Sequence, residues 1–129
     1  MWTGRFDPDS GVIWLEVVIH GPRGARPAGF LLDTGAFRTS IDVNITDELG
    51  YGAHLGRHNI RTIGAGAPIP GYVLPVQRLE VMGLVLEDFD IICEDIEPEA
   101  GIDGLIGMDV IRGHVLTIDA IEGTVTLTP

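Results

Sequence analysis

The chain has 129 residues, of which 45% are hydrophobic and 21% are charged. This length suits one compact domain, and this composition excludes a mainly disordered chain, because there is enough apolar surface to form a core. Nineteen acidic residues against eight basic ones give a net charge of −11. Such a charge argues against nucleic acid or an anionic membrane surface as a partner.

The most apolar stretch, residues 12–19, is interrupted by Glu16 and is far shorter than the roughly 20 residues of a membrane-spanning helix. The N-terminal sequence lacks the apolar stretch of a secretory signal. The single cysteine, Cys93, cannot form an internal disulfide. We therefore expect a soluble protein in the reducing cytoplasm.

Short runs of β-branched residues lie between eighteen glycines and eight prolines, a pattern that predicts mostly strands. The predicted strands are 12–20, 28–32, 73–81 and 85–93, followed by a hairpin of 116–119 and 124–128. Short helices are predicted near 46–49 and 108–112, each ending at a glycine. Residues 58–71, rich in glycine and proline, are interpreted as a projecting hairpin. We expect an all-β fold with one or two short helices.

The most informative stretch runs from Phe30 to Ala36, where an apolar strand leads directly into Asp33, Thr34 and Gly35. A carboxylate at a strand end lies beside apolar surface, and the glycine permits a tight turn. The position suits catalysis, although Asp-Thr-Gly is also an ordinary sequence for a turn that ends a strand. A second element, Gly104-Leu105-Ile106-Gly107 before the second predicted helix, makes the combination specific.

These two elements together resemble the retropepsin-like aspartic proteases, the single-lobe relatives of pepsin. The resemblance covers residues 11–129 and leaves residues 1–10 as an N-terminal extension, which is a candidate interface strand. It implies the single-lobe acid protease barrel of that family, acting as a homodimer. No metal or cofactor is implied.

The resemblance also implies a role for individual residues. Asp33 is the expected catalytic acid, and the Thr34 hydroxyl is expected to bond across the dimer axis. The remaining expected support residues of the active site are Gly35, Ala36, Gly104, Leu105, Ile106 and Gly107. The expected flap over the substrate is the glycine-rich segment Ile63, Gly64, Ala65, Gly66 and Ala67.

Aspartic-protease chemistry explains why such a chain must pair with itself. It needs two carboxylates that share one proton, and this chain has one Asp-Thr-Gly. We therefore expect a homodimeric endopeptidase, with one Asp33 per subunit, that activates water to hydrolyse a peptide bond in an extended substrate. The terminal segments 3–7 and 124–128 are the candidate interface strands.

Two other functional readings remain open. The chain could be a non-catalytic homodimeric module that binds peptides or assembles on the same fold, although such a module has no physical reason to keep Asp-Thr-Gly. An unrelated small β-barrel is favoured only if the chain is monomeric with Asp33 facing solvent.

Other chemistry-bearing residues have simpler interpretations. Asp103 and Asp109 flank the Gly-Leu-Ile-Gly element, and we interpret them as helix-capping and dipole-stabilising residues. His54 and His58 have no third ligand nearby in sequence, and we expect no metal there. Cys93 lies within an apolar strand and is expected to be a buried structural cysteine.

Overall fold

The computed structural model describes residues 1–56, 58–63 and 68–129, and for residues 58–63, 68 and 69 it describes the backbone only. Helices α1 (Val43–Glu48) and α2 (Met108–Ile111) are short, and single 3₁₀ turns occupy Ala53–Leu55 and Pro98–Ala100. All other regular structure in these ranges is strand, so the predicted all-β class with short helices is confirmed. The strands are β1 (Trp2–Arg5), β2 (Trp14–Gly21), β3 (Gly24–Leu32), β4 (Ser40–Asp42), β5 (His58–Ile63), β6 (Pro68–Val81), β7 (Leu84–Glu94), β8 (Gly104–Ile106), β9 (Val115–Asp119) and β10 (Thr124–Thr128).

Six strands close into a barrel. The larger sheet has the order β2-β3-β8-β4-β7-β6-β5, and β2 also pairs with β6, from Val18 opposite Glu80 to His20 opposite Arg78. This extra pairing joins the two ends of the six-stranded part and leaves β5 outside the closed ring. Closure removes free sheet edges, which is how small β-proteins protect themselves from unwanted strand pairing.

The core lies inside this ring because the strands alternate in the expected way. In β2, Leu15, Val17 and Ile19 are buried, whereas Trp14 and Glu16 are exposed. Phe30 of β3 is fully buried against them in the same apolar cluster. Burial of each large side chain of this kind stabilises the fold by about 1.5–3 kcal/mol relative to leaving it in water. The barrel core therefore provides the rigid support for the end of β3.

The ends of both helices follow local rules. Gly50 and Gly113 come just after α1 and α2 with φ values of 93° and 88°, in the left-handed region that glycine adopts without strain. The predicted helix stops are therefore confirmed. Helix α1 begins before the predicted residue 46, because the Asp42 carboxylate accepts a hydrogen bond from Asn44 N and caps the helix there.

The terminal segments form a separate three-stranded sheet with the order β1-β10-β9. Strand β10 lies in the middle, antiparallel to both neighbours, with Thr126 opposite Thr3 on one side and Thr117 on the other. Val125 and Leu127 of β10 are buried and join the main core. The first and last strands of the chain are thus held together within one subunit.

The predicted projecting hairpin corresponds to β5 and the first part of β6. Their backbones pair antiparallel from His58 opposite Val73 to Ile63 opposite Pro68. Residues 64–67 between them lie outside the described residues. Within the described ranges, no helix is both long enough and apolar enough to cross a membrane.

Candidate active site

Strand β3 ends at Leu32 and places Asp33 at the edge of the barrel. Phe30 is buried, Leu31 to Asp33 are half-buried, and Thr34 and Gly35 are exposed. The backbone of Leu32 donates to Ile13 O at 3.0 Å, and Asp33 N donates to Ile106 O at 2.9 Å. The apolar strand is therefore held from both sides up to the acidic residue, and exposure to solvent increases from Asp33 into the turn that follows.

The turn itself is closed by two short-range hydrogen bonds. Ala36 N donates to Asp33 O at 3.2 Å, and Gly35 N donates to Asp33 Oδ1 at 2.9 Å. Within the described residues, this amide is the sole donor to the Asp33 carboxylate. A carboxylate has about four lone-pair positions, so most of its acceptor capacity remains for water or a substrate.

The second sequence element lies directly against this turn, as the resemblance implied. Strand β8 runs parallel to β3, with Phe30 opposite Gly104 and Leu32 opposite Ile106. After β8, Met108 N donates to Ala36 O at 2.8 Å. The structure thus brings Asp33, Thr34, Gly35 and Ala36 together with the segment 104–107.

The two glycines of the second element are required by close packing. A Cβ atom on Gly107 would lie 2.7 Å from both Ala36 O and the carbonyl carbon of Arg38, closer than real side chains approach backbone. A Cβ atom on Gly104 would likewise overlap the Phe30 ring and Ser40 O. Any larger residue at these two positions would push β8 and the segment after it away from β3, β4 and the Asp33 turn.

Sequence reasoning did not identify Thr39, a fully buried polar residue behind the turn. Its amide donates to both oxygens of the Asp109 carboxylate at 3.0 and 2.9 Å, and its hydroxyl donates to Asp109 Oδ1 at 2.7 Å. The hydroxyl also accepts a hydrogen bond from Gly107 N at 3.1 Å. Thr39 and Asp109 therefore lock the chain after the turn to the start of α2.

The two acidic residues beside the Gly-Leu-Ile-Gly element differ from their predicted roles. Asp109 lies in the first turn of α2 and accepts from Val110 N at 2.9 Å, as the helix interpretation expected, but it is also tied to Thr39. Asp103 does not cap a helix. Its carboxylate accepts from Gly29 N at 2.9 Å, and its carbonyl accepts from Asp42 N at 2.8 Å, so it joins β3 to β4.

The expected flap residues are described only in part. Ile63 is the last residue of β5 and pairs with Pro68. Gly64, Ala65, Gly66 and Ala67 lie outside the described residues. The backbone of the hairpin arms is therefore known, whereas the proposed contact between this segment and a substrate remains a prediction.

Cys93 is completely buried in β7. Burial raises the pKa of its thiol to about 11, which keeps it protonated and unreactive at neutral pH. This agrees with the expected structural cysteine. Among the residues that the structure describes, no three His, Cys, Asp or Glu side chains cluster closely enough to hold a metal ion.

Comparisons with known proteins match this geometry. An aspartyl protease family model matches residues 15–110. A retropepsin-like aspartic protease from Rickettsia conorii superposes with a TM-score of 0.70 at 14% identity, covering 95% of this chain and 94% of that one. The retroviral protease-like domain of Ddi1 from Leishmania major superposes with a TM-score of 0.57 at 15% identity, covering 92% of this chain and 94% of that domain.

A viral enzyme is similar as well. The EIAV protease, solved with an inhibitor, superposes with a TM-score of 0.56 at 19% identity, covering 80% of this chain and 88% of that one. At these identities the structural likeness shows the fold. No curated protein sequence is a match. Because the family model spans most of the chain and includes the Asp33 turn, this protein belongs to the aspartyl protease family and has the retropepsin-like fold.

Proposed function

We propose that the protein is an aspartic endopeptidase that acts as a homodimer, with Asp33 of each subunit as the catalytic residue. Its family and fold support a protease role. The observation that carries the proposal is the position and hydrogen bonding of the Asp33 carboxylate. It is held at the end of a buried strand, and its one described donor is Gly35 N. A carboxylate with this position and this single donor is oriented by the backbone and has lone pairs left to act on a bound molecule.

The requirement for two subunits follows from the chemistry. Two carboxylates held about 3 Å apart cannot both be ionised, so they share one proton and together supply a base and an acid. One subunit contains one Asp-Thr-Gly, and a second copy related by a twofold axis supplies the other. Thr34, exposed beside Asp33, is proposed to bond across that axis.

In the proposed mechanism, the ionised Asp33 takes a proton from water as the water oxygen attacks the peptide carbonyl carbon. The protonated Asp33 of the second copy transfers its proton to the carbonyl oxygen, which becomes a hydroxyl in the tetrahedral intermediate. Transfer of a proton to the amide nitrogen then lets the C–N bond break. The products are a carboxylic acid and an amine.

The hairpin formed by β5 and β6 is the reason why we propose an extended peptide as the substrate. An extended peptide can pair with exposed strand backbone in the manner of an added strand. In this proposal Ile63 and residues 64–67 cover the peptide and exclude water from the reacting bond.

The test is Asp33→Asn, which keeps the size of the side chain and removes its ability to share a proton. Cleavage of an unfolded protein or a peptide library is measured from acidic to neutral pH. We expect the variant to lose activity at least about 100-fold, the usual range for removal of a general acid or base. Circular dichroism and sedimentation should be unchanged.

Asp9→Asn is the matched control, because Asp9 is exposed in a loop remote in sequence from the turn and should retain full activity. Equal cleavage by wild type and Asp33→Asn would reject the proposal. A wild-type dimer that binds peptides without cleaving them would instead favour the non-catalytic module.

A further inference from the structure

A cleft of about 540 Å³ lies on the outer face of the barrel, where β2 and β3 run side by side. Trp14 and Glu16 of β2, Pro27 and Gly29 of β3, and Asp103 line it. Glu16 lies directly opposite Gly29 in the pairing of the two strands. Because glycine has no side chain, the lining contains a stretch of bare backbone between larger residues. A cleft of this size has room for a long side chain of another molecule.

The Trp14 ring and the Asp103 carboxylate meet above Gly29. A Cβ atom on Gly29 would lie 3.0 Å from the Trp14 ring and 4.0 Å from Asp103 Oδ2, so the ring and the carboxylate are neighbours. Gly29 N donates to Asp103 Oδ2 at 2.9 Å and thereby orients the carboxylate. Trp14 is 46% exposed, so its packing on the glycine leaves much of the indole open. An aromatic surface beside a carboxylate is suited to bind a cation.

The carboxylates of the cleft have unused capacity to accept hydrogen bonds. Within the described residues, Asp103 Oδ1 and both oxygens of Glu16 accept no hydrogen bond, and no basic side chain lines the cleft. The whole chain has a net charge of −11, which attracts cationic groups at long range. The guanidinium group of arginine can stack on an aromatic ring and donate two parallel hydrogen bonds to a carboxylate. Charge complementarity therefore selects a basic side chain as the occupant.

The cleft lies on the side of β3 that leads to Asp33. Side chains two residues apart in a strand share a face, so Gly29, Leu31 and Asp33 follow one another along it, whereas Phe30 is buried in the core on the other face. Asp33 N donates to Ile106 O, so the strand pairing continues to Asp33. Four residues of strand span about 13 Å, so a peptide at Asp33 reaches the cleft within about four residues of the scissile bond.

We propose that this cleft is a specificity subsite for the substrate, and that the protein cleaves extended segments with an arginine or lysine within about four residues of the scissile bond. This inference rests on the proposed function, because it names the substrate class of the same site. Asp103 and Glu16 pair with the positive charge, and the Trp14 ring covers the guanidinium plane or the aliphatic stem behind the charge.

The first test examines the sequence around every bond that the protein cleaves. An unfolded protein or a peptide library is digested, and the fragments are identified by mass spectrometry. We expect arginine and lysine to be enriched near the bonds that the wild type cleaves. The enrichment should disappear in the double variant Glu16→Gln and Asp103→Asn, which keeps the size of both side chains and an oxygen that can accept from Gly29 N.

The matched control is the double variant Glu87→Gln and Asp88→Asn, which makes the same two changes and the same change in net charge. Both residues are exposed in β7, a strand that pairs with β4 and β6 rather than with β2 or β3. This control should keep the enrichment of the wild type. Cleavage without basic residues near the bond, or the same enrichment in both double variants, would overturn the inference and leave the proposed function intact.

The second test measures binding without catalysis, in the Asp33→Asn background. The probes are a peptide of alternating alanine and arginine and the same peptide with citrulline, which is uncharged, in place of arginine. Tryptophan fluorescence reports binding, and Trp14→Phe identifies the part of the signal that comes from the cleft. We expect the arginine peptide to bind at least about tenfold more tightly, as charge-assisted hydrogen bonds predict.

The preference for the arginine peptide should be lost in the double variant of Glu16 and Asp103 and kept in the double variant of Glu87 and Asp88. Binding with this pattern in a protein that cleaves no substrate would reject the proposed function and retain the cleft as a site for basic side chains. Equal affinity for the two peptides would overturn the inference, whether or not the wild type cleaves.

Discussion

The Asp33 turn and the start of helix α2 are neighbouring segments that each contain an aspartate, but the two carboxylates have different surroundings. Asp109 accepts hydrogen bonds from the amide and hydroxyl of Thr39 and from Val110 N. Asp33 has Gly35 N as its one donor within the described residues. A carboxylate whose oxygens accept several hydrogen bonds from its own chain stabilises the fold, whereas a carboxylate with unoccupied lone pairs can bind water or a peptide.

The comparison is tested most strongly by removing each carboxylate. Asp109→Ala should lower the free energy of unfolding by about 2–4 kcal/mol, because it leaves two buried donors of Thr39 without a partner. Asp33→Ala, the matched change, should alter it by less than about 0.5 kcal/mol, as most substitutions away from buried networks do. Urea unfolding measures both. Similar losses for the two variants would break the distinction between a structural and a chemical aspartate.

The Thr39 hydroxyl offers a second test of the structural role of the Asp109 network, with a smaller expected effect on the free energy of unfolding. Thr39→Val removes the acceptor of Gly107 N, so we expect a loss of about 1–2 kcal/mol and faster hydrogen exchange of the Gly107 amide. Thr39→Ser keeps the hydroxyl and should preserve the slow exchange even if it loses some packing. Unchanged exchange in Thr39→Val would show that the hydroxyl does not hold the support segment.

A third carboxylate, Glu80, lies at the surface beside His20 and Arg78, and removing its hydrogen bond to His20 should show the smallest effect. His20 Nε2 donates to Glu80 Oε2 at 2.7 Å, and this hydrogen bond is the main cause that lowers the pKa of Glu80 below its ordinary value of 4.5. A lowered carboxyl pKa contributes stability above pH 4.5, and this contribution disappears as the pH falls through the folded-state pKa.

His20→Ala should therefore lower the melting temperature slightly above pH 4.5, and the difference from wild type should vanish in more acidic solution. Thermal unfolding at several pH values measures this. Glu80→Gln is the control. Because neither variant has a carboxyl group whose pKa is lowered by His20, the difference in melting temperature between Glu80→Gln and His20→Ala should not depend on pH. A difference that grows toward acid would contradict the assignment.

Much of the fold could be predicted because its signals are local. The alternation of buried and exposed residues in β2 identifies a strand, and the glycines after α1 and α2 mark the helix ends through their positive φ values. The family pattern pointed to Asp33 and to the segment 104–107, and the structure places that segment against the Asp33 turn. Strand β4 was missed, since three residues between a turn and a helix carry no periodicity.

The contacts that complete the site could not be read from the sequence, because they join distant residues. Nothing near Thr39 indicates that its hydroxyl would meet Asp109 and Gly107. Asp103 was interpreted as a helix cap from its neighbours, but its carboxylate accepts from Gly29 N in another strand. The role of such an aspartate depends on which backbone the fold places beside it, and local spacing does not contain that information.

The parallel pairing of β3 with β8 also determines when this site can exist during synthesis. Asp33 leaves the ribosome well before Ile106 and Met108, which supply the partners of Asp33 N and Ala36 O. A nascent polypeptide that stops short of β8 contains the acidic residue without the backbone that fixes it. Translation must therefore pass this strand before the site that we propose for proteolysis can form in a newly made chain.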